Sequence, residues 1–452
     1  MAIFLEICGL NTANFNLPCP KPPMKKLLIA VFSLVSISTF SQKLSFDAKA
    51  IIAISDADMA ASAYIDGKLL KEKGTKDVLS VIKFPMEKYS DEIKTIGVSN
   101  SVLNWTKGMV LSHNNHIAYI VETRNSPQEN TNELRNITTD FPVGGFISVV
   151  DITDLAQPKV LYKFPTGKNP IAVDISPDGE YLVICSEEYE KELQILELDA
   201  AGKPIRIINK PKDFPSGRIT DVTWHPNNNY IAFTLEDSKE VGLIKITRDG
   251  PTSKIIRLDL LDRPLKVGNF PGAGQFTPDG KYYLVPDLKW GTEAKSEQGY
   301  DGKSDIFVLK FNLEATGNHF LITKIKVGEN AEGFAISPDG SLVVVANMKK
   351  SYYPWENAEF SKKSSLSLLR LTSDGTLSNI ADYEFDGILP QNIAFDKTGD
   401  NIAVTIFDYF NYGKHFGGVE FWKVNKGEKP SLQKQDFKLF LPRGCHAIRV
   451  VK

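Results

Sequence analysis

Short stretches in which apolar side chains alternate with polar ones recur through most of the chain. The clearest run from Val78 to Phe84, Phe146 to Ile152, Leu193 to Leu198, Gly242 to Ile246, Asp305 to Phe311, Ser365 to Leu371 and Gly418 to Val424. A period of two is the mark of a strand with one face buried. Ahead of each lie an apolar run rich in small residues, a turn and a β-rich run, and after each comes a more polar strand. The turns are copies of one another. Ser176-Pro177-Asp178-Gly179, Thr277-Pro278-Asp279-Gly280 and Ser337-Pro338-Asp339-Gly340 are the strong ones, and Ser112-His113-Asn114-Asn115, His225-Pro226-Asn227-Asn228 and Asp396-Lys397-Thr398-Gly399 are weaker. Proline presets φ for the first turn position, and Gly or Asn accepts the left-handed conformation at its end.

The second turn position recurs about every 57 residues, from 113 to 397. Four antiparallel strands per unit, with no helix between them and seven alternating third strands, define an all-β, seven-bladed β-propeller. Only six inner strands precede a turn, starting with Thr106 to Leu111. The seventh is predicted at the C-terminus, where Gly444 to Val450 has the pattern of an inner strand and would complete blade 1, whose other strands come from residues 50 to 96. Such a closure ties the ring and hides sheet edges.

Composition adds limits. The 452 residues are 42% hydrophobic and 24% charged with a net charge of −2, which excludes a disordered chain and leaves no basic footprint for nucleic acid. Lys25 and Lys26, the apolar run from Leu27 to Ser38 and the small residues before a cut after Ser41 have the order of a secretory signal peptide. That run is too short to span a bilayer, and no later segment is long and apolar enough. Residues 1–23 then read as an over-extended start, 24–41 as the signal and 42–452 as one propeller, exported to the periplasm or beyond. Cys185 and Cys445 remain after the cut and fall on non-adjacent repeats, so free, mostly buried thiols are expected.

The Ser-Pro-Asp-Gly turns and the Val/Ile/Tyr strands that follow them resemble the lactonase-type and YVTN-repeat seven-bladed propellers over about residues 50 to 452. The resemblance implies that fold, and it brings two expectations for function: a binding or interaction scaffold without catalysis, or a lactone hydrolase of the 6-phosphogluconolactonase kind. Lactonase-like members carry Arg-His on an inner strand, His-Pro at the turn and Glu at the end of the next strand. His225-Pro226 and Glu236 match that spacing in blade 4. Arg218 lies two residues further from the turn than the pattern wants, and Ile171 stands where a histidine is expected in blade 3.

Counting back from the residue that opens each turn, position −5 holds Lys107, Ile171, Thr220, Gly272, Glu332, Gln391 and His446, and position −7 holds Trp105, Asn169, Arg218, Phe270, Asn330, Leu389 and Gly444. With unbroken alternation the two positions share one face. Glu332, His446, Arg218 and Glu236 are therefore the candidate catalytic residues, and Lys107, Asn169 and Gln391 candidate ligand contacts at the mouth of the tunnel, where an acid, an amide, an imidazole and an ammonium could bind an anion and move a proton. A polar, water-filled tunnel would show the same residues. Asp56 and Asp58 lack the ligand spacing of a calcium loop and read as solvated; no metal and no cofactor is expected.

Blades 5, 6, 7, 1 and 2 have long second-to-third-strand connections, loaded with Trp290 and Tyr300, with Tyr352, Tyr353, Trp355 and Phe360, and with Tyr409, Phe410, Tyr412, His415 and Phe416. Those loops emerge beside the same mouth. They predict a one-sided pocket walled by blades 5 to 7, with Trp355, Tyr409 and Trp290 touching a sugar, an aromatic molecule or a peptide. The same rings could instead pack together merely to hold the loops down. The chain is expected to act as a monomer.

Overall fold

The computed structural model describes residues 44–86, 93–104, 106–211, 213–290, 302–314, 317–409 and 416–452. The expected signal peptide and its leader, and Trp105, Tyr300, Phe410, Tyr412 and His415, lie outside the described residues. Seven antiparallel sheets follow one another along the chain. Blade 3 shows the unit: Pro170–Ile175, Tyr181–Ser186, Leu193–Leu198 and Pro204–Asn209, paired in sequence order. Blade 4 adds a short fifth strand, Leu265–Lys266, against its third.

The turns form as their chemistry dictates. Gly179, Gly280, Gly340 and Gly399 take φ between 72° and 76°, and Asn115 and Asn228 take 59° and 68° at the equivalent place. Each donates its backbone N–H to the carbonyl of the residue that opens the turn, at 2.8 to 3.2 Å. Ser176 Oγ and Ser337 Oγ bond the Asp two residues on at 2.5 Å, and the same hydroxyls accept the backbone N–H of Tyr181 and Leu342.

Closure follows the expected route. The C-terminal strand Cys445–Val451 pairs antiparallel with Ala50–Ser55, which pairs with Val78–Lys83 and then Ile93–Gly97. First and last segments of the propeller thus share blade 1. Between every two neighbouring blades lies an apolar core, seven in all among the described residues. The one between blades 7 and 1 joins Phe421 and Leu439 to Ile51 and Ile448. Cys185 and Cys445 are free thiols buried in two of these cores.

An eighth cluster lies outside the blades. Met59, Ala63 and Leu69 from the blade 1 insertion pack with Ile137 and Phe141 from that of blade 2, with Met348 and Tyr352 of blade 6 and with Phe407 of blade 7. Two one-turn helices, Ala63–Asp66 and Ile137–Asp140, occur in these insertions, where a helix-free chain was expected. A polar run can reverse direction in one helical turn, and Ala63 and Ile137 bury their side chains in doing so. No helix among the described residues is long and apolar enough to cross a membrane.

Candidate functional site

Strand entries decide where the polar side chains go. In blade 1 the register passes from Ile54 opposite Ala447 to Ser55 opposite Cys445, so His446 is the extra residue of a bulge. Ile171 in blade 3 and Thr220 in blade 4 are extra in the same way, and Glu332 with Gly333 falls in the matching shift of blade 6. A bulge re-aims the side chain it carries. Two residues earlier, Asn169, Asn330 and Leu389 adopt left-handed backbone at φ 47°, 52° and 51°. Alternation is therefore interrupted between positions −7 and −5 in these blades, yet Arg218 and Phe270 of the first row and Glu332 and Gln391 of the second still reach one cavity.

Four of the singled-out polar residues do come together. Arg218, Glu236, Glu332 and Gln391 line one cavity of about 480 Å³ with Trp290. Its remaining walls include Tyr64, Leu103, Phe270, Pro271, Leu288, Thr138 and Thr139, with Thr123, Arg124 and Glu187. One side is a charged network. Arg218 donates to Glu236 through Nη1 and to Glu187 Oε1 through Nη2 and Nε, at 2.8 and 3.1 Å. Arg124 Nη2 reaches Glu187 Oε2 at 3.2 Å and the Thr138 carbonyl at 2.5 Å. Burial works against the Arg218 guanidinium, but the Glu236 and Glu187 carboxylates outweigh it and hold the group above its ordinary value. Asn169 serves this network from behind: its Nδ2 donates to Glu187 at 2.7 Å and its Oδ1 accepts the Gly144 N–H.

The other side is nearly uncharged. Glu332 is 6% exposed and, among the described residues, accepts only the Gln391 amide, whose Nε2 lies 3.3 Å from each carboxylate oxygen. Desolvation pushes its carboxyl up to about 7, against the lowering effect of that amide. Tyr64 stands near both, its hydroxyl held well above its usual range by burial and by the Glu332 and Asp56 charges. Its ring meets Trp290 edge-on at 5.1 Å, and Trp290 stacks on Tyr352 at 4.5 Å and 12°.

The remaining candidates are placed elsewhere. Lys107 sends Nζ from blade 2 to Thr223 Oγ1 of blade 4 at 3.0 Å and lines a second cavity, of about 500 Å³, beside Pro278 and Pro338 of the turns. His446 is fully buried, bonds the Gly444 carbonyl through Nδ1 at 2.9 Å and does not line the first cavity; burial drives its imidazole down to about 4. His225 is a turn residue, accepting the Asn227 N–H at Nδ1 and bonding the Gly280 carbonyl through Nε2. Trp355 is 67% exposed and away from the cavity, because its loop folds outward after Tyr353. Tyr409 is buried between blades 6 and 7, donating to Glu420 beneath the Lys438 ammonium. Blades 5 to 7 do contribute Phe270, Leu288, Trp290, Glu332 and Gln391 to the wall, but the aromatic contacts there are Trp290, Tyr64 and Phe270 and not Trp355 or Tyr409.

Asp56 and Asp58 are buried rather than solvated, and their carboxylate oxygens lie within 4.8 Å of one another and of Asp77. Asp56 accepts the backbone N–H groups of Asp58 and Val102, Asp77 those of Ala57 and Asn100, and Asp58 the Lys71 ammonium, which accounts for the three as anchors of the blade 1 insertion.

Sequence reasoning missed Arg124, Glu187 and Tyr64, yet a signal for part of this existed. Eleven residues after each turn-opening residue come Thr123, Glu187, Glu236 and Leu288 in blades 2 to 5, and all four line the cavity. Alignment on the turns selects that position; Tyr64 and Thr138 sit in insertions, where no repeat register exists.

Solved structures resemble this fold. A candidate 6-phosphogluconolactonase of Bacteroides fragilis aligns at a TM-score of 0.59 with 12% identity, covering 89% of this chain and 98% of that one. Its counterpart from Bacteroides uniformis gives 0.58 and 12%, covering 89% and 100%, and a periplasmic gluconolactonase of Pseudomonas aeruginosa gives 0.57 and 13%, covering 89% and 99%. At these identities the likeness is one of fold. No family model matches the sequence. A candidate Tricorn-like protease C-terminal subunit of Sulfurisphaera tokodaii is 27% identical over 110 residues, 24% of this chain, and the match spans about a tenth (11%) of that protein's length.

Proposed function

We propose that the chain is an exported β-propeller that binds a small ring-bearing molecule in the 480 Å³ cavity, taken as the mouth of its central tunnel. The observation that carries the reading is the division of the lining: Leu103, Phe270, Pro271, Leu288 and Trp290 face the Arg124–Glu187–Arg218–Glu236 network and Glu332. Apolar walls with a few convergent polar groups suit a sugar or a substituted aromatic ring. Export rests on the order Lys25-Lys26, apolar run and small residues at Ser41. Calorimetry and tryptophan fluorescence against sugars, sugar lactones and simple aromatics test the binding. Saturable binding is expected, weakened at least tenfold in Trp290→Ala; no saturation by any member of the panel overturns it.

A second reading, hydrolysis of a lactone, is favoured by Glu332. A carboxyl near 7 in the same cavity as a guanidinium can take a proton from water at neutral pH. The hydroxide so formed would add to the lactone carbonyl, the ring C–O bond would break as the proton held by Glu332 passes to the departing ring oxygen, and the hydroxy acid would ionise to a hydroxy carboxylate and a proton. The lactonases among the neighbours in fold support it. Acidification of aldonolactone solutions that Glu332→Gln abolishes is the expected result; no turnover by the folded protein leaves binding alone.

A further inference from the structure

The charges in the cavity do not cancel. Two arginines, Arg124 and Arg218, face three carboxylates, Glu187, Glu236 and Glu332. The first two carboxylates are each paired with a guanidinium, Glu187 with both. Glu332 forms no ion pair with any described residue, and an uncharged amide is its only side-chain partner. Lys107, one blade beyond His446 in the same row of the repeat, is turned toward Thr223 and Asp221 instead. A buried carboxylate without a cation is costly, and most such groups are paired.

The surroundings of Glu332 are aromatic. Tyr64 lies beside it, Trp290 lies against Tyr64, and both rings line the cavity. Tyr352 holds Trp290 from behind by stacking at 4.5 Å. Negative ring faces next to a carboxylate attract a positively charged nitrogen, most strongly where water is excluded. An anionic ligand finds less: Glu187 and Glu236 engage all three nitrogens of the Arg218 guanidinium, and Arg124 already gives Nη2 to Glu187 and the Thr138 carbonyl, which leaves its Nε without a partner among the described residues.

We propose that the molecule bound in this cavity is an organic amine, its ammonium seated between Glu332 and the rings of Tyr64 and Trp290 with its remaining polar groups toward the Arg218 network. The proposal rests on the reading that the cavity is the binding site, and it names the charge of the occupant. It predicts discrimination between molecules of one shape that differ in one group.

Matched pairs test it by calorimetry on the full chain: 2-phenylethylamine against 2-phenylethanol, and glucosamine against glucose. For at least one pair the amine is expected to bind at least tenfold more tightly than its neutral partner. In the isosteric Glu332→Gln protein, with its melting transition checked, the amine should fall to the affinity of that partner. Binding of both members with equal affinity, or an amine preference that survives Glu332→Gln, overturns this proposal and leaves the cavity reading standing. Binding by no member of either pair overturns both.

Discussion

The side-chain amide of Gln391 bridges both carboxylate oxygens of Glu332, 3.3 Å from each, and so joins blade 7 to blade 6 at the wall of the cavity. A donor to the charged form lowers a carboxyl pKa, while burial here raises it further than the amide can offset. Replacing Gln391 by Leu removes the donor and keeps the burial. The Glu332 carboxyl should then titrate above 7, read by infrared or carbon-13 titration of labelled glutamate. A value at or below that of the parent protein would contradict the arrangement.

Glu332 and His446 should pull the pH dependence of stability in opposite directions. The Glu332 carboxyl sits at about 7 in the folded chain against an ordinary 4.5, so the folded state holds the extra proton in that window and the group's contribution falls as pH rises through it. His446 sits at about 4 against 6.5; its contribution is present above 6.5 and is lost as pH falls toward 4. Each amounts to about 3 kcal/mol at its limit. Relative to the parent, Glu332→Gln should gain stability between pH 4.5 and 7, and His446→Gln should gain it between pH 6.5 and 4. Urea denaturation across pH measures both, and Asp56, also raised to about 7, cancels from the differences.

The two loop tryptophans should behave differently. Trp290 and Tyr352 stack across the insertions of blades 5 and 6, so a double-mutant cycle on the pair should show coupling of about 0.5–1.5 kcal/mol. Trp355, 67% exposed, should tolerate Ala within about 0.5 kcal/mol and without change in ligand affinity. Chemical denaturation with ligand titration gives both numbers, and a large loss at Trp355 would show that its loop has been misjudged.

Ring closure should carry stability well beyond its few residues. Ile448 is 1% exposed and packs between blades 7 and 1, so Ile448→Ala should cost about 2–5 kcal/mol. Deleting residues 444–452 strips one edge of Ala50–Ser55 of its partner, leaving it paired only with Val78–Lys83, and should abolish a single cooperative melting transition. A deletion that melts within a degree or two of the full chain would refute the role of this strand.

Most of the fold was legible because it is written in local chemistry. Pro and Gly or Asn set turn dihedrals within four residues, alternation marks strands within six, and the turns repeat with a spacing of about 57. The closing strand could be inferred because an unpaired sheet edge demands a partner, and Gly444 to Val450 had the matching pattern.

The cavity was legible only in part. Arg218, Glu332 and Gln391 could be picked from the repeat register, Glu236 from the resemblance and Trp290 from its ring-rich insertion, whereas Lys107, His446 and Asn169 shared the register and do not line the cavity. A bulge or a left-handed residue at the strand entry re-aims a side chain, but not to one place: Glu332 has both and lines the cavity, whereas His446 sits on a bulge and turns away from it. Left-handed backbone leaves only a partial mark in residue type, since Asn169 and Asn330 are of the type that tolerates it and Leu389 is not. Which insertion met which was decided by tertiary packing, as Trp290 chose Tyr352 and Tyr64 as neighbours while Trp355 was left in solvent. The sequence by itself determined the blades, their number and the closing of the ring, because strand and turn preferences act over a few residues. The tertiary structure alone decided which charges were paired and left Glu332 without a cation among the described residues, because that depends on side chains brought together from blades and loops hundreds of residues apart.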